Sequence, residues 1–186
     1  MALTLFININ ELTDEQYSRE MDFLCPHKRE RVLKMRFEDD RKRSLAANLA
    51  DFLGLEEDDI AITCDGDGKP LCDGCFISLC HSGDYAVCAA SSFPIGVDIE
   101  KKREINPMLA KKICVSDAER EYASDNQKLL MLWSVKEACF KALSPQVYTV
   151  GDIVLEITEK GFECGGISFI ETGIVHKDYI FSLASV

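Results

Sequence analysis

The residues best suited by type and spacing to chemistry on a charged substrate lie in two short runs. The first is Gly96-Val-Asp-Ile-Glu100, with acids at Asp98 and Glu100. The second is Trp133-Ser-Val-Lys-Glu-Ala-Cys-Phe-Lys141, with Lys136, Glu137 and Lys141. On a strand the side-chain period is two, so Ile95, Val97 and Ile99 face one way and Asp98 and Glu100 the other. Two carboxylates on one strand face repel unless a cation or base lies between them. A hard cation such as Mg²⁺ is bound in this manner, through carboxylates together with substrate phosphate and water. The same alternation also describes a strand end with two solvated acids. On a helix, Glu137 and Lys141 fall one turn apart with Lys136 beside them. Such an edge offers a third carboxylate and two cations for phosphate, or simply an ordinary i,i+4 ion pair.

Two further signals concern anions. Gly68-Lys69-Pro70 makes a rigid turn that presents a lysine, and His81 in Ser78-Leu-Cys-His-Ser82 stands just past an apolar strand. Between Pro26 and Arg43, eight bases (Lys28, Arg29, Arg31, Lys34, Arg36, Arg41, Lys42, Arg43) face four acids, a local positive excess in a chain of net charge -11. A basic patch on an acidic protein suits a small anionic ligand better than a polyanion, although a solvated helix face with pairs such as Glu38–Lys42 has the same composition. Two false matches are excluded. Asp65-Gly-Asp-Gly-Lys69 is not an EF-hand loop, because Phe76 stands at its twelfth position. Gly68-Lys69 is not a P-loop, because Pro70 follows where Ser or Thr is required.

These residues need elements to hold them. Leu3, Leu5, Ile7 and Ile9 alternate as on a strand. The pattern predicts a helix over 26–53, with Leu45, Leu49, Phe52 and Leu53 as its apolar stripe and Gly54 as its stop. Strands are expected over 75–79, 85–90 and 95–99, a helix over 107–124, and a strongly patterned helix over 127–143 with Leu132, Val135, Cys139 and Leu143 buried. Strands over 153–157, 166–170 and 179–184 close the chain. Helices and strands mix in both halves, which points to an α+β fold.

Composition narrows the classes. The net charge of -11 argues against a general nucleic-acid binder. No apolar run approaches the ~20 residues of a membrane span, and the N-terminus lacks the basic leader of a signal peptide, so a cytoplasmic location is the expectation. The nine cysteines are odd in number and several lie in apolar runs, which suits reduced thiols. Cys72 and Cys75 have metal-ligand or redox spacing. With Cys64, Cys80 and His81 they make a zinc site conceivable, but a structural zinc site usually takes a second close pair and none is present.

In chain order, Pro26-His-Lys-Arg-Glu-Arg31, Arg43-Ser44, Gly68-Lys69-Pro70, Cys80-His81-Ser82, Gly96-Val-Asp-Ile-Glu100 and Trp133 to Lys141 resemble the Sfp-type 4′-phosphopantetheinyl transferase family. The resemblance runs over 26–143, and its last two motifs are the most diagnostic. It implies two similar α+β subdomains related by pseudo-twofold symmetry, with the active site in the cleft between them. Residues 1–95 would take the nucleotide end of CoA, and residues 96–186 would carry a Mg²⁺ site and dock the carrier. The implied reaction is transfer of 4′-phosphopantetheine from coenzyme A to a serine of an acyl- or peptidyl-carrier protein, releasing adenosine 3′,5′-bisphosphate. Asp98, Glu100 and Glu137 would be the Mg²⁺ ligands. Lys28, Arg31 and Arg43 would contact the 3′-phosphoadenosine end, with Lys69, Cys80 and His81 near the same phosphates. Lys136 and Lys141 would meet the pyrophosphate. Asp98, Glu137 and Lys141 would be catalytic, and Glu137 or a water held by the metal would take the serine proton. Cys80 stands where the family usually has Ser, and the chain is shorter than typical members, with the loss after Lys141.

The partners implied are CoA and an apo carrier protein, met by a monomer without nucleic acid or membrane. Because both enzyme and carrier are acidic, docking is expected to be local and apolar. Met108, Leu109, Ile113, Val115 and Tyr122 are the candidates, set among Lys101, Lys102, Arg103, Lys111 and Lys112; the same apolar residues would otherwise pack a core. Two other readings remain open at this stage: a Mg²⁺-dependent phosphodiesterase or pyrophosphatase using the same carboxylates with water, and a non-enzymatic zinc-binding adaptor built on the segment from Cys64 to Cys80.

Overall fold

The structure is a computed structural model that describes residues 2–23, 26–36, 62–64, 70–72 and 74–186, without the side chains of 20, 22–23, 26–28 and 62–64. It divides into two compact units, Met1–Ser92 and Phe93–Val186.

The first unit begins with β1 (Ala2–Asn8) and α1 (Asp14–Phe23). Thr13 and Gln16 start α1 by exchanging bonds: the Gln16 amide donates to Thr13 Oγ1 at 3.2 Å and the Thr13 amide donates to Gln16 Oε1 at 3.0 Å. This is a capping box, and it accounts for a helix that the hydrophobic pattern does not announce. α2 (Pro26–Leu33) opens on a proline, whose missing N–H costs nothing at a first helical position. The continuous helix expected over 26–53 is not formed: α2 stops at Leu33 and residues 34–36 are already non-helical, while residues 37–61 lie outside the described ones. β2 (Ile62–Cys64) pairs with β3 (Pro70–Cys72), and β4 (Phe76–Ser82) pairs with β5 (Tyr85–Ser91) through the two-residue loop Gly83-Asp84. β5 lies centrally in an antiparallel sheet of order β1-β5-β4, and its Ala86, Val87, Cys88 and Ala89 are buried.

The second unit also carries a three-stranded sheet. β6 (Ile95–Lys101) leads into α3 (Met108–Ile113), α4 (Asp117–Tyr122) and α5 (Asn126–Leu143). The hairpin β7 (Leu155–Thr158) and β8 (Gly161–Cys164) precedes β9 (Phe169–Val175) and β10 (Tyr179–Ser185). The sheet order is β6-β10-β9, antiparallel throughout. In both units the first strand pairs with the last, the last with its predecessor, and a two-stranded ladder stands apart. The fold class is α+β, as the mixed pattern implies.

Two sequence expectations change here. The helix over 107–124 breaks into α3 and α4, because Ser116 caps α4 and the Glu119 carboxylate takes the amides of Val115 (2.7 Å) and Ser116 (3.3 Å). The strand over 166–170 moves later: Gly166 has φ +82 and turns the chain, and β9 starts at Phe169. Among the described residues, no helix is long and apolar enough to cross a membrane.

α5 builds the core of the second unit. Leu132, Val135, Ala138, Cys139 and Ala142 pack with Ile113, Ile153, Leu155 and Ala184. The helix approaches β6 closely, and Gly96 makes this possible: a Cβ there would lie 1.9 Å from the Ala138 carbonyl oxygen and 2.7 Å from the Ala142 amide nitrogen, so any side chain would push the two elements apart.

Candidate active site

The close approach at Gly96 sets a register. Residues 96, 98 and 100 recur along β6 every ~6.6 Å, and residues 133, 137 and 141 recur along α5 every ~6 Å. The two elements run in opposite directions, so Gly96 lies against Ala138 and Ala142, Asp98 meets Lys141, and Glu100 meets Trp133. The face of β6 that carries the acids is the one covered by α5, which removes the reading of Asp98 and Glu100 as solvated strand-end acids.

Asp98 is buried, with 7% of its surface exposed. Lys141 Nζ donates to Asp98 Oδ1 at 3.0 Å and to the Val97 carbonyl at 2.8 Å. The other oxygen, Oδ2, is buried without a donor. Burial holds the Asp98 carboxyl above the ordinary aspartate range, against the charge and hydrogen bond of Lys141 and the nearby Ser134 hydroxyl, which itself donates to Ser182 at 2.9 Å. Glu100 is held at both oxygens: Trp133 Nε1 donates to Oε1 at 2.9 Å and Arg103 donates to Oε2 at 3.0 Å. Its pKa is raised too, by burial and then by the Asp98 charge. Glu137 is half-buried; burial raises its pKa, Lys141 opposes this, and Asp98 and Glu100 add to it. The three carboxylates therefore share one electrostatic neighbourhood.

Whether these residues fit a hard cation can be judged from Asp98 Oδ2. An orphaned carboxylate oxygen costs free energy in a buried site, and a cation supplies what it lacks. The candidate ligands Asp98, Glu100 and Glu137 all offer carboxylate oxygens, as Mg²⁺ prefers. Among the described residues no three His, Cys, Asp or Glu side chains already converge on one point; Glu100 is turned to Trp133 and Arg103 instead. The chemistry of the set fits a divalent ion.

Lys136 departs from the sequence expectation. It does not flank Glu137 and Lys141 as a phosphate partner. It is fully buried, and its ammonium donates to the carbonyls of Ile113 and Ile153 (2.7 Å to the latter) and pairs with Glu119 Oε1 at 2.8 Å. The physical reason is helical phase: one residue before Glu137 turns the side chain ~100° around α5, into the core. Burial pushes the Glu119 carboxyl up, but the Lys136 bond and the amides of Leu155 and Val115 outweigh it and the pKa falls.

The first unit holds the remaining expected residues. Arg31 is exposed in the last turn of α2. Lys28 lies on the same helix, with its side chain not described, and Arg43 and Lys69 lie outside the described residues. On β4, His81 is exposed while Cys80 is buried, 8% exposed, because neighbours on a strand face opposite ways. Of the expected docking residues, Met108 and Val115 are exposed, at 52% and 44%. Ile113 is buried, Leu109 packs on the core, and Tyr122 packs edge-on against Phe162 while its hydroxyl meets Met131 Sδ at 3.2 Å.

Sequence reasoning missed Trp133 and Arg103 as partners of Glu100, and the buried hydroxyl pair Ser134–Ser182 (2.9 Å) beside Asp98. For Trp133 a signal existed, since it stands one helical turn before Glu137 on the stripe that meets β6.

Comparison with known proteins converges on the same segment. Residues 94–174 match the profile of the 4′-phosphopantetheinyl transferase superfamily. The chain is similar to 4′-phosphopantetheinyl transferase Sfp of Bacillus subtilis (strain 168), 28% identical over 197 aligned positions that span 90% of this chain and 84% of that protein. It is also similar to 4′-phosphopantetheinyl transferase ffp of Bacillus subtilis, 26% identical across 90% of this chain and 84% of the relative. A shorter match, 33% identical over 90 positions, is to 4′-phosphopantetheinyl transferase gsp of Aneurinibacillus migulanus and spans 44% of this chain and 37% of that one.

Proposed function

We propose that the chain, whose residues 94–174 match the 4′-phosphopantetheinyl transferase superfamily and which is 25–28% identical to such transferases over most of its length, transfers 4′-phosphopantetheine from coenzyme A to a serine of an acyl- or peptidyl-carrier protein. The observation that carries this reading is the Asp98 carboxylate, buried with one oxygen on Lys141 and the other without a donor, inside the segment that matches the family.

Asp98, Glu100 and Glu137 would hold Mg²⁺, which when bound supplies positive charge against the pyrophosphate of CoA. Lys141, fixed by Val97 and Asp98, adds a second positive charge on the same side. The carrier serine oxygen forms a bond to the phosphorus that bears pantetheine, the bond from that phosphorus to the bridging oxygen breaks, and adenosine 3′,5′-bisphosphate leaves. Glu137 would accept the serine proton. Trp133 and Arg103 orient Glu100. Lys136 has no place in this chemistry, since its ammonium is used within the fold.

The nucleotide end of CoA is assigned to the first unit, through Lys28, Arg31, Arg43, Lys69 and His81; any contribution of buried Cys80 comes from its backbone. The apolar part of the carrier-docking face reduces to Met108 and Val115, beside exposed Lys111 and Lys112. A cytoplasmic setting, where CoA and reduced thiols occur together, belongs to the same reading.

The test is incubation of the protein with CoA, Mg²⁺ and a panel of apo carrier proteins, read by intact mass. A carrier that gains one phosphopantetheine on its serine supports the proposal. Release of free phosphopantetheine with every carrier unmodified would instead assign a hydrolase.

A further inference from the structure

Cys72 ends β3 and Cys75 stands just before β4, and the two residues face each other as an antiparallel bridge across the turn that contains Gly74. Gly74 has φ +86, a conformation that glycine adopts without strain. Partners opposite one another in an antiparallel pair have Cα atoms ~4.5–5.5 Å apart, inside the ~4.4–6.8 Å window of a disulfide. The two sulfurs are 2.8 Å apart, and both residues are half-buried thiols.

We propose that Cys72 and Cys75 form a dithiol site that reacts with low-molecular-weight disulfides and closes to an intrachain disulfide. One thiolate attacks a sulfur of the reagent RSSR, forms a mixed disulfide and expels RS⁻. The second thiolate then attacks the protein sulfur of that mixed disulfide and expels the other RS⁻. The protein dithiol loses two electrons and two protons, and RSSR becomes two RSH. Because the second thiol is already in contact with the first, the second step is intramolecular and outruns accumulation of the mixed disulfide.

Cys139 and Cys164, whose thiols also interact, differ from this pair. Cys139 is fully buried, so an external disulfide has no approach to it. Closure would fasten β3 to the start of β4. Neither sulfur takes part in the transfer proposed above, so the site stands or falls apart from that reading.

The native full-length protein is incubated with oxidised glutathione, quenched with acid, alkylated, and read by intact mass and peptide mapping. The expected result is loss of two hydrogen atoms with no retained glutathione, and a single link joining Cys72 to Cys75. Cys75→Ser should instead retain one glutathione on Cys72. A stable glutathione adduct on the wild-type pair, a link between Cys139 and Cys164, or two thiols that stay reduced while others react would each overturn the proposal.

Discussion

Lys136 and Lys141 lie little more than one turn apart on α5, and each meets an acid at close range. Lys136 pairs with Glu119 at 2.8 Å with neither side chain exposed, and the remaining bonds of both groups are made by backbone: Ile113 and Ile153 carbonyls on one side, Leu155, Val115 and Ser116 amides on the other. Lys141 pairs with Asp98 at 3.0 Å, with 27% and 10% of the two side chains exposed, and leaves Asp98 Oδ2 without a donor. The first pair is complete and ties α4, α5 and the start of β7 together. The second is incomplete, accessible and surrounded by two more acids. The distance within a pair does not separate structure from function here; the state of its remaining lone pairs does. The pKa directions agree, since the Glu119 carboxyl is lowered and those of Asp98, Glu100 and Glu137 are raised.

Breaking the complete pair should have the largest effect, and on stability. Glu119→Gln keeps the shape but leaves the Lys136 ammonium buried without its counter-charge, at a cost of about 3–5 kcal/mol. The urea midpoint should fall accordingly with the slope unchanged; a midpoint like that of the wild type would mean the pair is not the tie described.

Lys141→Met should act in the opposite sense. Losing a cation at developing phosphate charge is expected to lower kcat for transfer about 10²–10³-fold, while the loss of stability should be smaller than for the fully buried pair, since Lys141 keeps 27% of its side chain exposed. Steady-state kinetics beside thermal melts check this, and a large stability loss with little change in rate would make the two lysines alike.

A smaller effect is expected where the incomplete site is only oriented. Trp133→Phe keeps most of the packing but removes the N–H that holds Glu100 Oε1. Groups that orient a metal ligand are worth ~10-fold or more in affinity, so divalent binding measured by titration calorimetry should weaken about 10-fold with the fold intact. Unchanged affinity would remove Trp133 from the site.

The period-two spacing of Asp98 and Glu100 made their shared face legible in the sequence, and the i,i+4 spacing of Glu137 and Lys141 made theirs legible too. What covers that face was not legible. It depends on Gly96 admitting the Ala138 carbonyl to where a Cβ would sit, a property of two elements forty residues apart. The fate of Lys136 was hidden for a similar reason: its partner Glu119 is available only because the chain breaks between α3 and α4, where two amides turn to that carboxylate. Val115 and Ser116 are weak helix formers and Ser116-Asp-Ala-Glu119 has capping-box spacing, so the break itself could be read from the sequence, but not that Lys136 turns to it. β5 and β10 were visible as apolar runs because both are central and buried along their length, whereas α1 rests on a local capping exchange with little hydrophobic pattern.

The central claim is that Asp98 belongs to an incomplete carboxylate site that takes a divalent cation. A raised carboxyl pKa means that stability is fully present below the ordinary carboxylate range and is lost as pH rises through the folded value. Above the ordinary carboxylate range, therefore, Asp98 should destabilise the metal-free protein. The deciding measurement is the melting temperature of wild type and Asp98→Asn at neutral pH, with and without Mg²⁺. The account predicts that metal-free Asp98→Asn melts above the metal-free wild type, that Mg²⁺ raises the wild-type melting temperature, and that it leaves the variant unmoved. An equal Mg²⁺ shift in both proteins, with the metal-free variant melting no higher than the wild type, would contradict it.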